Sequence, residues 1–244
     1  MGNELNIFLL VIIMLTHSQL FYVGGSITCF ILLYYYFTQE WKPDLVLVKA
    51  NTDNHYYEVR NMDDKKQAAD MLATVRNKLK LLVTKLVQHY PNDKRVKLLQ
   101  KRFKGDVLSE LSSYADPKYT SYSVAKGEKI VFCLRSRDAQ QRLVSMQTLM
   151  FVAIHELAHV MSISIGHTEE FWNNMRFLLA NAIVWKLYKP INYAEKPEPY
   201  CGLQITSSPL GPECSQLRKY VTYDKADEIQ LKFDETNDAC VVAS

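Results

Sequence analysis

The sequence predicts an α+β domain that follows an N-terminal transmembrane helix. Two observations lead to this fold class: a long uncharged apolar segment at the N terminus, and apolar patterns beyond it with helical and strand periods. Of the 244 residues, 48% are apolar and 23% are charged, so the chain beyond the N-terminal segment is able to bury a core. With 8 Gly and 8 Pro, a collagen-like or low-complexity protein is excluded.

The N-terminal segment contains no Asp, Glu, Lys or Arg between Glu4 and Glu40. Within it, residues 20–37 have only two polar interruptions, Ser26 and Thr28. As a helix this stretch is about 27 Å long, close to the hydrocarbon thickness of a bilayer. We predict a single-pass membrane anchor here. A cleaved signal peptide and a buried core helix are the alternatives, and the signal peptide is disfavoured because no Lys or Arg precedes the apolar run.

The orientation of this anchor follows from the charges that flank it. Lys42 and Lys49 come after the span and no Lys or Arg comes before it, so the C-terminal domain is expected on the cytosolic side. The cytosol would keep the cysteines reduced. In the opposite orientation, Cys201 and Cys214 bracket a loop and would be able to pair. Five cysteines in this chain do not predict a disulfide scaffold.

The domain is expected to begin with two short extended pieces, residues 45–48 and 56–59, followed by two helices. Apolar residues recur every three or four positions from Ala68 to Tyr90, which predicts a helix that begins near Asp64. A second helix is predicted over about residues 93–103.

These two predicted helices are strongly basic. Residues 71–104 contain ten Lys or Arg against one acid, Asp93. A solvated helix surface is one interpretation, and an anionic membrane surface or nucleic-acid phosphates are the functional ones. Because no aromatic residues interleave the basic ones at a spacing suited to base stacking, we rank the membrane surface above nucleic acid.

A β-hairpin is predicted next. Residues 121–124 alternate serine with Tyr122 and Val124, as on a half-buried strand. Residues 130–134 form an unbroken apolar run, which suits a strand covered on both faces. The residues between them, 125–128, supply a turn.

The strongest signal for chemistry is the motif His-Glu-Leu-Ala-His at residues 155–159, on a helix predicted over about residues 139–163. His155 and His159 lie one turn apart on the same helical face, so both imidazoles are able to bind one zinc ion. Glu156 lies beside them and is able to accept a proton from water that the ion has made more acidic. Two hydrogen-bonded core histidines and a salt-bridged glutamate are the alternative, which is disfavoured because unpaired buried polar groups are costly.

A catalytic zinc site needs a third protein ligand and one open position. His167 is the best candidate, since it lies eight positions beyond His159 and directly after Gly166. A glycine at this point is able to end the helix and turn the chain back toward the metal. Glu169 and Glu170 are the alternative oxygen ligands, although both also suit the first turn of a following helix, where the helix dipole stabilises carboxylates.

The motif at residues 155–159, followed by Gly-His and by the aromatic Phe171, resembles the WLM-type and SprT-like zinc metallopeptidases. The block at residues 121–135 looks like that of membrane-anchored WLM-like proteins of nucleocytoplasmic large DNA viruses. The resemblance implies a zincin-like fold, with the HExxH helix beside a small β-sheet and with Phe171 packed behind the third ligand. The seven residues between the second and third histidines make a longer gap than is usual in WLM enzymes.

The resemblance also implies the activity, which is zinc-dependent hydrolysis of a protein or peptide substrate. DNA–protein crosslinks are the substrate known in the family. By analogy with the wider zincin group, the strand at residues 121–124 aligns the substrate by β-addition. A tyrosine is expected to stabilise the developing oxyanion, and the sequence does not choose between Tyr193 and Tyr200.

We therefore predict three segments: a membrane anchor at residues 1–41, a zincin-like metallopeptidase domain at residues 42–205, and an acidic, loosely packed tail at residues 206–244. The predicted function is that of a membrane-anchored zinc metallopeptidase, in a host or virion membrane if the chain is viral. Two alternatives stay open. One is a structural or assembly protein of a viral membrane that retains a zinc site, and the other is a nucleic-acid-associated protease that acts on DNA–protein crosslinks.

Overall fold

A computed structural model of the chain describes residues 21–22, 24–34, 44–210, 214–221, 231–234 and 239–242. The chain divides into two compact units, Met1–Pro43 and Asp44–Ser244. The described residues of the first unit are helical. In the part of the chain that the structure describes, no helix combines the length and the apolar character needed to cross a membrane. The structure therefore gives no support to the predicted transmembrane helix, whose other residues lie outside the described ranges.

The second unit contains a five-stranded sheet. Its strands are β1 (Leu45–Lys49), β2 (Tyr56–Arg60), β3 (Leu108–Glu110), β4 (Ser121–Val124) and β5 (Lys129–Phe132). The strand order is β1-β2-β3-β5-β4, in which β3 runs parallel to β2 and β5, and both outer pairs are antiparallel. The predicted small sheet is confirmed, and its two parallel pairings make the fold a mixed α/β one.

Helices pack against this sheet and against one another. They are α1 (Lys65–His89), α2 (Lys94–Arg102), α3 (Met146–Met161) and α4 (Glu169–Val184). α1 packs against β1, β2 and β3, and α3 packs against β4, β5 and α4. The periodic apolar residues predicted α1 correctly, because its buried positions include Leu72, Leu79 and Leu86.

The helix that carries the two motif histidines begins later than predicted. Residues 139–163 are the predicted helix, and Met146–Met161 is the observed one. Ser145 is its N-cap, and the Ser145 hydroxyl accepts the backbone N–H of Thr148 at 3.0 Å. The residues before it form a turn instead, because the Asp138 carboxylate accepts backbone N–H groups two and three residues further on.

The predicted β-hairpin is confirmed, with β4 paired antiparallel to β5. β5 lies between β3 and β4, which explains why residues 130–132 are buried, and β4 lies at the edge of the sheet. The connecting turn contains Gly127, whose φ angle is +114°. A Cβ atom at this position would lie 2.8 Å from Val160 of α3, so only glycine allows the turn to pack against the C-terminal end of α3.

Cys201 forms a disulfide bond with Cys133, which directly follows β5. The pairing of Cys201 with Cys214, considered for the opposite orientation, is therefore wrong. Cys201 lies between β6 (Glu198–Tyr200) and β7 (Leu203–Ile205), which form a second antiparallel hairpin. The bond ties this β6–β7 hairpin to the main sheet.

The predicted acidic tail, residues 206–244, is described in part. It contains α5 (Cys214–Arg218) and an antiparallel pair of strands, β8 (Leu231–Asp234) and β9 (Ala239–Val242). Leu217 and Val221 are buried in the core of the second unit. Residues 211–213, 222–230, 235–238 and 243–244 of the predicted tail lie outside the described ranges.

The basic stretch is only partly a solvated helix surface. Arg76 is buried and forms ion pairs with Asp53 and Asp106. Arg102 donates hydrogen bonds to the backbone carbonyls of Val160 and Ser162 at the end of α3. Other basic residues of the stretch with contacts inside the fold are Lys78, Lys80, Lys85 and Arg95. Four lysines stay exposed without a hydrogen bond or ion pair to any described side chain: Lys94, Lys97, Lys101 and Lys104.

Candidate metal centre and cleft

The two motif histidines lie in the C-terminal half of a largely buried helix. In α3, the rings of His155 and His159 are 4.9 Å apart between their centroids, as expected for positions separated by one helical turn. Most of the other side chains of α3 are buried in the core. Because the helix is packed on several sides, its backbone holds the Cα positions of the two histidines in place.

His167 comes to this pair from the loop between α3 and α4. Gly166 precedes it with a φ angle of +81°, a backbone conformation that glycine adopts without strain. The Nε2 atoms of His167 and His155 are 3.1 Å apart, and one ring nitrogen from each of the three histidines lies within 4.8 Å of the others. The structure therefore brings together all three histidines that the sequence singled out.

The chemistry and spacing of these nitrogens fit a zinc ion. Two ligand nitrogens on one tetrahedral zinc ion, each at about 2.0–2.1 Å from it, are about 3.3 Å apart. The separation between His155 and His167 is close to that value. Within the described residues, this is the cluster of three histidine, cysteine or acidic side chains that is compact enough to hold a metal ion.

Phe171 packs against the three histidines. Its ring centroid is 4.3 Å from that of His159, 4.7 Å from that of His167 and 4.9 Å from that of His155. Phe171 is in the first turn of α4 and is fully buried. The implied packing of this aromatic behind the third histidine is therefore observed, and the ring limits how the imidazoles can rotate.

The surroundings of His155 and His159 keep these two imidazoles neutral. Burial, followed by the neighbouring histidines, lowers the pKa of His155 to about 3. Burial, followed by His167 and Lys126, lowers the pKa of His159 to about 4. A neutral imidazole presents the lone pair that a metal ion needs, so no proton has to be removed from these two side chains at neutral pH.

Glu156 lies on the same helix and is 4% exposed. Burial raises the pKa of its carboxyl group to about 8. A general base is most effective when its pKa lies near the operating pH, and a nearby cation lowers the pKa of a carboxyl group. The position and environment of Glu156 thus suit a group that accepts and returns a proton.

The histidines and Glu156 open into a cleft of about 630 Å³. β4 lines it with Ser121 and Tyr122, and the β6–β7 hairpin lines it with Leu203 and Ile205. Phe151 and Val152 of α3 also line it. The edge strand predicted to align a substrate therefore lies beside the histidines.

The cleft distinguishes the two candidate tyrosines. Among the described residues that line it, Tyr200 is present and Tyr193 is not. The Tyr200 hydroxyl is 2.6 Å from the Ser121 hydroxyl of β4. Burial raises the pKa of Tyr200, so its hydroxyl stays protonated at neutral pH and is able to donate a hydrogen bond. The neighbouring Cys201 is held by the disulfide, a long-range contact that no local sequence pattern indicates.

The two alternative ligands have other partners. The Glu170 carboxylate accepts the backbone N–H of Ile163 at 2.8 Å and that of Ser164 at 2.9 Å. These bonds lower the pKa of Glu170. Glu169 forms an ion pair with Arg176 at 3.3 Å. Neither carboxylate belongs to the compact cluster of ligand atoms.

The fold and the site together define a class of protein: a mixed α/β protein in which one helix and the loop that follows it carry three histidines able to bind one metal ion. Residues 51–193 match the WLM domain, and the chain belongs to the WLM family. This is a family of zinc-dependent proteases.

Several relatives of the chain come from large DNA viruses. The chain is 33% identical over 175 residues to Uncharacterized protein R325 of Acanthamoeba polyphaga mimivirus, which covers 71% of this chain and 88% of that protein. It is 42% identical over 86 residues to Uncharacterized protein 042R of Invertebrate iridescent virus 3, which covers 34% of this chain and 50% of that protein. The expected similarity to WLM-type viral proteins is confirmed.

A solved structure is also similar, that of Wss1 from Saccharomyces cerevisiae. The match covers 53% of this chain and 86% of the yeast chain, with 22% sequence identity and a TM-score of 0.39.

Proposed function

We propose that this protein is a zinc metalloprotease that hydrolyses peptide bonds in protein or peptide substrates. The observation that carries the proposal is the convergence of three imidazoles, from His155, His159 and His167, beside a buried glutamate in a cleft with an edge strand as its wall. Membership of the WLM family supports the same class of activity.

In the proposed mechanism, the three histidines hold the ion and Glu156 moves the proton. A bound zinc ion supplies Lewis acidity, which polarises a carbonyl group and makes water more acidic. Glu156 accepts a proton from the attacking water and returns it to the leaving amine. The Tyr200 hydroxyl donates a hydrogen bond to the developing oxyanion.

The substrate backbone is proposed to lie along β4. This strand is at the edge of the sheet, so its outer side lacks a partner strand among the described residues. An extended peptide would pair with it and would thereby present one peptide bond to Glu156. The apolar residues Phe151, Leu203 and Ile205 offer surface for substrate side chains on the other walls.

The function is tested with the full-length protein loaded with zinc. We expect cleavage products in a proteome-derived peptide and protein screen, and we expect them to disappear when a chelator removes the metal and to return when zinc is added back. A wild-type protein that binds zinc and cleaves nothing in this screen would contradict the proposal and favour a structural or assembly role in a viral membrane.

A second candidate is a nucleic-acid-associated protease that acts on DNA–protein crosslinks. The observation that favours it is a stripe of three exposed lysines, Lys94, Lys97 and Lys101, which lie on one face of α2 at spacings of three and four. The same screen with added single-stranded DNA distinguishes the two. Cleavage that requires DNA and that falls steeply with salt concentration supports this candidate.

Membrane attachment through residues 20–37 is a further part of the proposal and depends on the sequence alone. We expect the full-length protein to stay in the membrane pellet after carbonate washing. Release by carbonate, or a mature N terminus after Phe37, would contradict it. The flanking lysines favour a cytosolic domain, whereas the Cys133–Cys201 disulfide suits an oxidising compartment, and a protease-protection assay decides between them.

A further inference from the structure

The loop that carries the third histidine has little apolar packing. It comprises residues 162–168 between α3 and α4, and its two large apolar residues, Ile163 and Ile165, are 72% and 88% exposed. His167 is exposed as well. Hydrophobic burial therefore does not determine the shape of this loop, although the loop places one of the three imidazoles.

Polar contacts determine its shape instead. Both oxygens of Glu170 accept backbone N–H groups of the loop, one from Ile163 and one from Ser164. The Lys126 ammonium group donates to the backbone carbonyls of Ser162 and Ser164 at 3.1 and 2.8 Å. The backbone N–H of Ser164 thus donates to the Glu170 carboxylate, and its carbonyl accepts from the Lys126 ammonium group.

These two side chains reach the loop from rigid elements. Glu170 is in the first turn of α4, and Lys126 is in the β4–β5 turn. That turn is packed against Val160 of α3 through Gly127. The Thr168 hydroxyl, 2.6 Å from the Ser164 hydroxyl, connects the far end of the loop to the same residue.

We propose that Glu170 and Lys126 are positioning residues for the metal centre, which hold the loop so that His167 meets the other two imidazoles. This inference rests on the proposed function, since it assumes that the three histidines bind zinc. Neither side chain belongs to the compact cluster of candidate ligand atoms. Their hydrogen bonds order the loop before the metal binds, so less conformational entropy is lost on binding. Charge-assisted hydrogen bonds of this kind are among the strongest in proteins.

The test compares Glu170→Gln with Glu169→Gln in the full-length protein. The two carboxylates are adjacent in the same helical turn. The control residue, Glu169, is exposed, and its carboxylate pairs with Arg176 of the same helix among the described residues. We expect Glu170→Gln to bind one zinc ion about tenfold more weakly than wild type, the lower end of the effect for residues that orient ligands. We expect Glu169→Gln to bind zinc as wild type does.

Two further measurements separate positioning from direct ligation. In the cobalt-substituted protein, the absorption spectrum of Glu170→Gln should match that of wild type, because the ligand set is unchanged; a different spectrum would make Glu170 a ligand and overturn the proposal. In metal-free protein, the amide protons of Ile163 and Ser164 should exchange at least about tenfold faster in Glu170→Gln. This measurement does not depend on zinc binding.

Lys126→Met is a second variant, which removes the ammonium group that donates hydrogen bonds and keeps an unbranched side chain of similar length. We expect Lys126→Met to bind zinc more weakly than wild type. In the double variant with Glu170→Gln, the loss of zinc affinity should be smaller than the product of the two single losses, because both residues act on Ser164. Equal zinc affinity in Glu170→Gln and Glu169→Gln would overturn the inference alone. Absence of zinc from the wild-type protein would contradict the proposed function, and the amide-exchange rates would then decide the inference.

Discussion

Glu156→Gln is expected to retain zinc and the fold while proteolytic activity falls by at least about 10²-fold, the lower end for the loss of a general base. Glutamine keeps the shape of the side chain but is not able to accept a proton from water. Burial raises the pKa of this carboxyl group to about 8, and Glu156 has no ion-pair partner among the described residues. We therefore expect no loss of thermal stability.

The measurement is the cleavage rate on any substrate that the screen identifies, together with the zinc content of the purified full-length variant. Glu169→Gln is the matched control, since the same chemical change is made on an exposed residue outside the cleft. If Glu156→Gln loses its zinc, the residue is a ligand and its assignment as the base is wrong. An activity within a few-fold of wild type would also contradict the assignment.

Each of the changes His155→Ala, His159→Ala and His167→Ala is expected to abolish stable zinc binding. Zinc binds the folded state only, so at a free zinc concentration of 100 times the dissociation constant it stabilises the wild-type protein by about 2.7 kcal/mol. For a domain of this size, losing that contribution lowers the midpoint of thermal unfolding by roughly 5–11 °C. Metal analysis and thermal melts with and without chelator measure both effects.

His89→Ala is the control for these variants. His89 is at the end of α1, where its ring lies 5.3 Å from that of Trp185, and it does not line the cleft. We expect it to bind one zinc ion and to gain stability from zinc as wild type does. One zinc ion bound as tightly to His167→Ala as to wild type would remove His167 from the ligand set and redirect attention to Glu169 or Glu170.

The parts of the fold that could be predicted are those that local patterns encode. The four-residue spacing of His155 and His159 places both imidazoles on one helical face whatever the surrounding fold. Residues 130–134 predicted a buried central strand, because an unbroken apolar run needs cover on both faces. Gly166 indicated the turn that returns His167 to the helix. These are properties of a few consecutive residues and require no knowledge of distant ones.

The remaining features depend on contacts between residues far apart in the chain. Cys133 and Cys201 are 68 residues apart, and no spacing rule selects that pair over Cys201 and Cys214. The choice of Tyr200 over Tyr193 follows from which residues line the cleft, and these come from distant parts of the chain. The position of Lys126 beneath the histidine loop could not be predicted, because it depends on how the β4–β5 turn packs against α3.

The disulfide also has a topological consequence. It joins residues on either side of α3 and α4, so the segment that contains all three histidines is a covalently closed ring. Ile163 and Ile165 are exposed parts of that ring, and the stretch around them is a site where a protease is able to reach the chain. A single cut there separates His167 from His155 in sequence but leaves one molecule, which comes apart into two chains only after the bond is reduced.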